Sequence, residues 1–382
     1  MQIVFLISLK KRFGGGDYSM FKFAEALAKQ GHQIVVFYLG NQKLLSQNIN
    51  PTFKVFKKFN IELDFKGRGL INIVIDYIYD ECFLYRYLKR NCDKIDFIVG
   101  YQREMALKAM KLRARYKLKT ALFTFETPGW LMEKWPAWRS IYLNDSKLRK
   151  SWDLYKKALI SSDLIIANSN ITCDETWKWI GRTSDLVLYP GISPMETPDK
   201  NIAKQKQIIY VGRLEENKNV NEIIEALALS KLDVKLVVCG RGSLERELIE
   251  LSKIKRVNVV FKGEVEEEEK WAEIKKSLFM VFPSSFEGFG MPPMEALTMG
   301  IPCICSNIPI LKEIYGNYVE YFEEHDIVGL GEKMKMLLAN SDYIKERGEL
   351  GSRFVQSKFG WEKSDKKLEQ KFNEYLSSNT TL

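Results

Sequence analysis

The chain is predicted to be an α/β protein, with two doubly wound parallel-sheet domains facing each other across a cleft. Short, continuous apolar runs recur along its 382 residues, with helical patterns between them. Such runs suit strands buried on both faces, as in a parallel sheet covered by helices. The alternation stops once, at a polar segment carrying Pro190, Pro194 and Pro198, and then restarts. A linker there divides a chain that is long enough for two domains of ordinary size.

The first strand is "QIVFLISL" (2–9), followed by the turn "KKRFGGGDYSM" and the helix "MFKFAEALAKQG". Gly31 closes that helix, since glycine accepts the left-handed conformation of the position after a helix end. The strand "HQIVVFYLG" (32–40) comes next. Further strands are expected at 96–100, 120–125, 163–168 and 185–189, and after the linker at 207–212, 234–240, 257–263, 278–283 and 301–306. The run "EVEEEEK" (264–270) reads as a solvated first helical turn, where carboxylates complement the helix dipole. The domain bounds are expected at 1–195 and 196–361.

Hydrophobic residues make up 46% of the chain, which is enough for packed cores. Lys10, Lys11 and Arg12 follow the first apolar run instead of preceding it, so no signal peptide is expected. No apolar stretch approaches the roughly 20 residues of a membrane-spanning helix. Cys82, Cys92, Cys173, Cys239, Cys303 and Cys305 form no CxxC pair. Only His32 and His325 are available to join them as ligands, so reduced cysteines, a cytoplasmic setting and no metal centre are expected.

The net charge of +9 is uneven. Residues 1–195 hold 31 Lys and Arg against 18 Asp and Glu, and the rest hold 27 against 31. The stretch "PGWLMEKWPAWRSIYL" (128–143) interleaves Trp130, Trp135 and Trp138 with Lys134 and Arg139. That pattern suits either a bilayer interface or a lid packed on the first domain. With the basic first half it points to a lipid-linked or anionic partner and to attachment at the inner face of an anionic membrane. No compact basic run or nucleic-acid motif accompanies the pI of 9.0, so no nucleic-acid partner is expected.

Ligands of doubly wound sheets bind at the loops leaving the strand C-termini. Those loops here are Gly14–Gly16, Gly212–Lys218, Gly240–Gly242 and Ser284–Glu295. In "SSFEGFGMPPMEAL" (284–297), Pro292 and Pro293 suit the first turn of a helix. The N–H groups of Gly288, Phe289, Gly290 and Met291 are then free to face an anion, and glycine lets a phosphate come close. Glu295 falls about one turn into the helix, where a carboxylate can accept two ribose hydroxyls. Glu287 on the loop points beyond the phosphates. Arg213 and Lys218 supply countercharge for a diphosphate, Arg213 as a fork and Lys218 as a point charge. The ligand that fits this layout is a nucleotide sugar. No Asp-x-Asp occurs in the chain, so protein cations are expected in place of a metal.

These residues resemble the family 4 glycosyltransferases, which are retaining, metal-independent enzymes with two Rossmann-like domains in the GT-B fold. The resemblance rests on "VGRLEENKN", "VVCGRGSLERELIEL", "FKGEV" and "PSSFEGFGMPPMEALTMGIPCICSN". The last contains the family's Glu-x7-Glu pattern at Glu287 and Glu295. "SDLIIANS" and "KFGWEKS" match weaker signals, and the likeness is densest over 205–315. It implies that Arg213 and Lys218 hold the donor diphosphate, that Glu287 contacts the donor sugar and that Glu295 grips the ribose. It further implies that Val265 and the loop of Gly240 and Arg241 hold the base, and that Gly212, Gly15 and Gly16 approach the phosphates. The last helix, about 362–382, is implied to return to the first domain.

Many relatives carry a histidine in the cleft after the strand matching "TALFTF". Here that neighbourhood reads "TFETPGW", with Glu126 in its place. Glu126 either positions an acceptor, stabilises positive charge on the sugar, or is a structural acid. The reading is a retaining transferase acting on a glycan or lipid-linked acceptor. The alternatives are an epimerase or hydrolase of the same fold and a non-catalytic sugar-nucleotide-binding subunit.

Overall fold

The computed structural model describes residues 1–9, 15–40, 84–192 and 202–378. Lys10–Arg12, Gly14, Cys82, Pro194, Pro198 and most of the expected linker lie outside the described residues. Two six-stranded sheets form, one in each half of the chain. The first comprises β1 (Gln2–Leu9), β2 (Gln33–Gly40), β3 (Phe97–Tyr101), β4 (Thr120–Thr124), β5 (Leu164–Ala167) and β6 (Leu186–Val187), in the order β2-β1-β3-β4-β5-β6. The second comprises β7 (Gln207–Val211), β8 (Lys235–Cys239), β9 (Val259–Gly263), β10 (Met280–Phe282), β11 (Cys303–Ser306) and β12 (Glu320–Phe322), in the order β12-β11-β10-β7-β8-β9. Every strand pairing is parallel. β3, β4, β5 and β7 are buried along their whole length, which is why their sequences show apolar runs and not alternation.

Each sheet has one switch point, where successive strands depart in opposite directions: β1/β3 in the first and β7/β10 in the second. Crevices open at such points beyond the strand C-termini. In this molecule the two crevices face one another.

The last helix, Trp361–Ser378, belongs to the first core. Phe372 stacks on Phe97 with ring centroids 4.5 Å apart. Tyr375 donates to Asp163 at 2.8 Å, and the His32 ring lies 2.8 Å from the Glu369 carboxylate. Trp361 packs edge-on to Phe23, so the end of the second half of the chain is held against the first. Ser169 caps the helix Asn170–Ile180 by accepting from the Thr172 N–H at 3.0 Å, which makes it a structural residue.

Several expectations are corrected. The first helix begins at Gly15 and not at Met20, so Gly15 and Gly16 are its first turn instead of a free loop. The 185–189 strand pairs only over Leu186–Val187, because Asp185 turns its carboxylate onto the Ile165 N–H and Arg182. β12 was not anticipated. Glu320 and Tyr321 are partly exposed at a sheet edge and Phe322 alone is buried, which leaves no apolar run to read.

Candidate active site

The loop after β7 is shaped from within. Tyr210 donates to the Arg213 carbonyl at 2.8 Å, and the Asn217 and Asn219 amides donate to the Phe286 and Pro283 carbonyls of the loop after β10. The two loops thus form one surface. Gly240, after β8, has φ of +142°, and a Cβ there would lie 1.9 Å from the Gly212 carbonyl oxygen. Only glycine allows the β7 and β8 exits to touch in this way. Gly290, with φ of +88°, starts the helix Met291–Thr298. Its carbonyl accepts from the buried Tyr315 hydroxyl, and Leu311 fills the space a side chain would need.

These loops surround a cavity of about 450 Å³ between the domains, within the usual range for a small-molecule site. Gly15, Gly16, Gly212, Arg213, Lys218, Gly240, Arg241, Val265 and the whole stretch Glu287–Met291 line it. Of the residues singled out in the sequence, only Glu126 and Glu295 stand off its wall. Two helix N-termini open onto the cavity, one from each domain: Gly15 lies against the Met291 side chain. The Asn168 amide closes the gap by donating to the Gly288 carbonyl at 2.9 Å. Phe289 contributes backbone alone, since its ring is 5% exposed and packs on Tyr189 and Phe359.

The charges are not arranged as the sequence suggested. Lys218 and Glu287 were expected to act separately, but they form an ion pair at 2.7 Å, and Lys218 also donates to the Phe286 carbonyl at 3.1 Å. A buried cation and a partly buried carboxylate at adjoining loops neutralise each other. Arg213 is exposed, and its guanidinium joins no hydrogen bond or ion pair among the described residues.

Glu295 was expected to face the ligand directly. Instead it bonds Lys270 at 3.0 Å, and it is Lys270 that reaches the cavity wall. Lys270 also holds Glu267 at 2.9 Å. Two carboxylates around one ammonium keep the lysine charged against the cost of its burial. Burial raises the pKa of Glu295, with Lys270 opposing, and its Oε2 is buried without a partner among the described residues. Lys270 sits at the end of the acidic run that was read as solvated. Its inward turn has no signal in the composition of that run.

Glu126 follows Phe125, whose carbonyl and ring abut Gly288 and Gly16. Its side chain is open to the cleft. The surrounding walls still raise its carboxyl above the usual range, opposed by the charges of Arg103, Arg213 and Lys218. Arg103 is the functional candidate that no motif marks. Glu313, equally unanticipated, accepts from the Asn170 and Ile171 N–H groups and from the Tyr189 hydroxyl, and so ties the second domain to the first.

Of the two alternatives for 128–143, the tryptophans take the one in which they pack on the protein. Trp130 is 7% exposed and packs on Phe286 across the domain boundary, and Trp135 and Trp138 pack on the first core. The apolar side chains of that stretch that do face solvent are Ile141 and Leu143. Among the described residues, no helix is long and apolar enough to cross a membrane.

Two facing parallel-sheet domains with a cation-lined cavity at both switch points define the GT-B fold of the nucleotide-sugar glycosyltransferases. The chain belongs to that group: the model of the group 1 glycosyl transferases matches residues 195–353, and that of glycosyltransferase family 4 matches residues 13–195. It is 25% identical over 228 residues to the serotype-specific mannosyltransferase WbdA of Escherichia coli, covering 54% of this chain and 28% of that one. It is 33% identical over 183 residues to a Campylobacter jejuni N-acetylgalactosaminyltransferase named for a diphospho-undecaprenol acceptor, covering 43% of this chain and 46% of the relative. The matched region thus spans less than half the length of these relatives. HepE of Anabaena, solved with UDP, superposes with a TM-score of 0.72 at 16% identity, over 99% of this chain and 100% of that one.

Proposed function

We propose that the protein is a retaining glycosyltransferase that moves a sugar from a nucleotide donor to an acceptor hydroxyl on a glycan or lipid-linked chain. The observation that carries this is the cavity itself. Arg213, Lys218 and two helix N-termini converge where a diphosphate would lie, with Glu287 beyond them. Preorganised positive charge of this kind stabilises a departing diphosphate.

In the proposed step, the bond from the sugar C1 to the diphosphate oxygen breaks as the acceptor oxygen bonds to C1 on the same face. The acceptor proton passes to the leaving phosphate oxygen. Arg213, freely exposed, meets the diphosphate first. Lys218 then exchanges part of its bond to Glu287 for a phosphate oxygen, which frees Glu287 to bind hydroxyls of the transferred sugar. Glu126 lies on the acceptor side. The relatives' names, with mannosyl or N-acetylgalactosaminyl transfer and in one case a diphospho-lipid acceptor, favour cell-surface glycan synthesis.

With the cations built into the protein, transfer is expected to continue in excess EDTA. Product formation from a panel of nucleotide sugars, first identified by thermal stabilisation, is the measurement. A ligand at 100 times its Kd adds about 2.7 kcal/mol of stability. Loss of transfer that Mg²⁺ or Mn²⁺ restores would count against metal independence. Release of free sugar at the same rate with and without acceptor would point to a hydrolase.

The proposal includes an anionic membrane surface as a partner. It is supported by the basic balance of residues 1–195 and by exposed Ile141 and Leu143. Each basic residue near such a surface contributes about 1 kcal/mol. Flotation should show binding to anionic vesicles that weakens with salt. Equal binding to neutral vesicles, or no binding at all, would remove the membrane from the proposal.

A further inference from the structure

Beside the donor cavity, a second pair of charged side chains has no assigned task. β3 and β4 are adjacent and parallel, with Tyr101 opposite Phe123, so their exit loops lie side by side at the cleft edge. The β4 exit carries Phe125, on the cavity wall, and then Glu126. The β3 exit carries Gln102 and Arg103. Gln102 has φ of +54°, a left-handed backbone that a side chain disfavours and that only a well-determined setting maintains. It turns the chain directly from the strand into the helix Gln102–Tyr116 and so sets where Arg103 emerges.

Arg103 is held from one side. One of its nitrogens donates to Ser151 Oγ at 2.9 Å, and its guanidinium lies 4.6 Å from the centre of the Trp152 ring. It is half-buried, and among the described residues neither it nor Glu126 joins an ion pair. Each feels the other's charge between the two neighbouring exits. A guanidinium fixed by an aromatic face, with most of its fork unused and no counterion in contact, is prepared for a planar or tetrahedral anion. Phe125 lines the cavity, Glu126 follows it in the chain, and Arg103 on the neighbouring exit rests against the helix Ser146–Ser161.

We infer that Arg103 is the anion-binding residue of the acceptor site. It takes a phosphate group of the acceptor while Glu126 receives the attacking hydroxyl. This rests on the transferase reading and names the acceptor class: a hydroxyl compound bearing a phosphate a short distance from the nucleophile. The phosphate can belong to a soluble sugar phosphate or to a lipid-linked chain.

The test keeps the donor site filled with whichever of UDP and GDP binds, so that Arg213 and Lys218 are occupied. Glycerol phosphate, glycerol and farnesyl phosphate are then titrated and followed by saturation-transfer NMR. Wild-type protein should bind glycerol phosphate at least tenfold more tightly than glycerol. Arg103→Ala should lose that preference, and Arg103→Lys should keep part of it. Nucleoside diphosphate affinity should be unchanged in both variants. Tighter binding of farnesyl phosphate with the same dependence on Arg103 identifies a lipid-linked acceptor, and equal binding identifies a soluble one. Phosphate binding that survives Arg103→Ala, or no preference in the wild type, overturns the inference and leaves the donor reading standing. Failure of both UDP and GDP to bind the wild type would instead strike the transferase reading.

Discussion

Lys218→Ala is expected to lower kcat/KM for the nucleotide sugar by at least about 100-fold, roughly 2.7 kcal/mol of transition-state stabilisation. Two losses combine. A charge-assisted contact to the diphosphate is worth roughly 1.5–3 kcal/mol. The variant also leaves the partly buried Glu287 carboxylate, now held at 2.7 Å by Lys218, without that counterion. Removing one partner of such a pair costs about 3–5 kcal/mol. Lys218→Ala should therefore also melt at a lower temperature. Arg213→Ala offers the contrast. Its side chain is exposed and unpaired among the described residues, so it should lose donor use through the diphosphate contact alone, with an unchanged melting temperature. Steady-state kinetics and thermal melts on both variants provide the comparison. A folded Lys218→Ala protein with wild-type kcat/KM would refute the diphosphate assignment.

The second large effect separates the two glutamates. Glu295→Ala is expected to weaken binding of the nucleoside diphosphate alone by about tenfold or more. Glu295 stands off the cavity wall and acts on it through Lys270, so truncation removes one of the two carboxylates that hold that ammonium in place. Lys270 keeps Glu267 as a partner in the variant, so its charge is not stranded. Glu287→Ala should behave differently. It releases Lys218 from its ion pair, so diphosphate affinity should hold or rise. The loss should fall on kcat for the intact donor, because the missing contact is to the group in transfer. Calorimetry with the diphosphate and kinetics with the donor distinguish the variants. If both lose diphosphate affinity equally, the division of roles is wrong.

Much of the architecture was legible because parallel strands buried on both faces leave long apolar runs. β1, β7 and β8 were read nearly to their ends for that reason. The reading failed where burial leaves no periodic trace. β12 is a half-exposed edge strand, and β6 is cut short by a carboxylate that its own chain turns inward. The tryptophans of 128–143 left two readings open for a related reason. An aromatic residue beside a basic one has the same composition at a membrane and at a domain boundary, and only the contact of Trp130 with Phe286 separates the two.

The candidate site divides along the same line. Glycine, proline and charged residues at strand exits carry local meaning: Gly240 permits a backbone contact, Gly290 and Pro292 start a helix, and Arg213 follows β7. The sequence by itself therefore determined the two-sheet plan, the loops that matter and the kind of ligand they suit, since each follows from residues close together in the chain. Tertiary structure alone decided which charges meet. Lys218 reaches Glu287 across 69 residues, Lys270 reaches Glu295 across 25, and Arg103 settles against Ser151 across 48. Electrostatic partnership depends on distance in space and on the burial that lowers the local dielectric, and neither quantity is local in the chain.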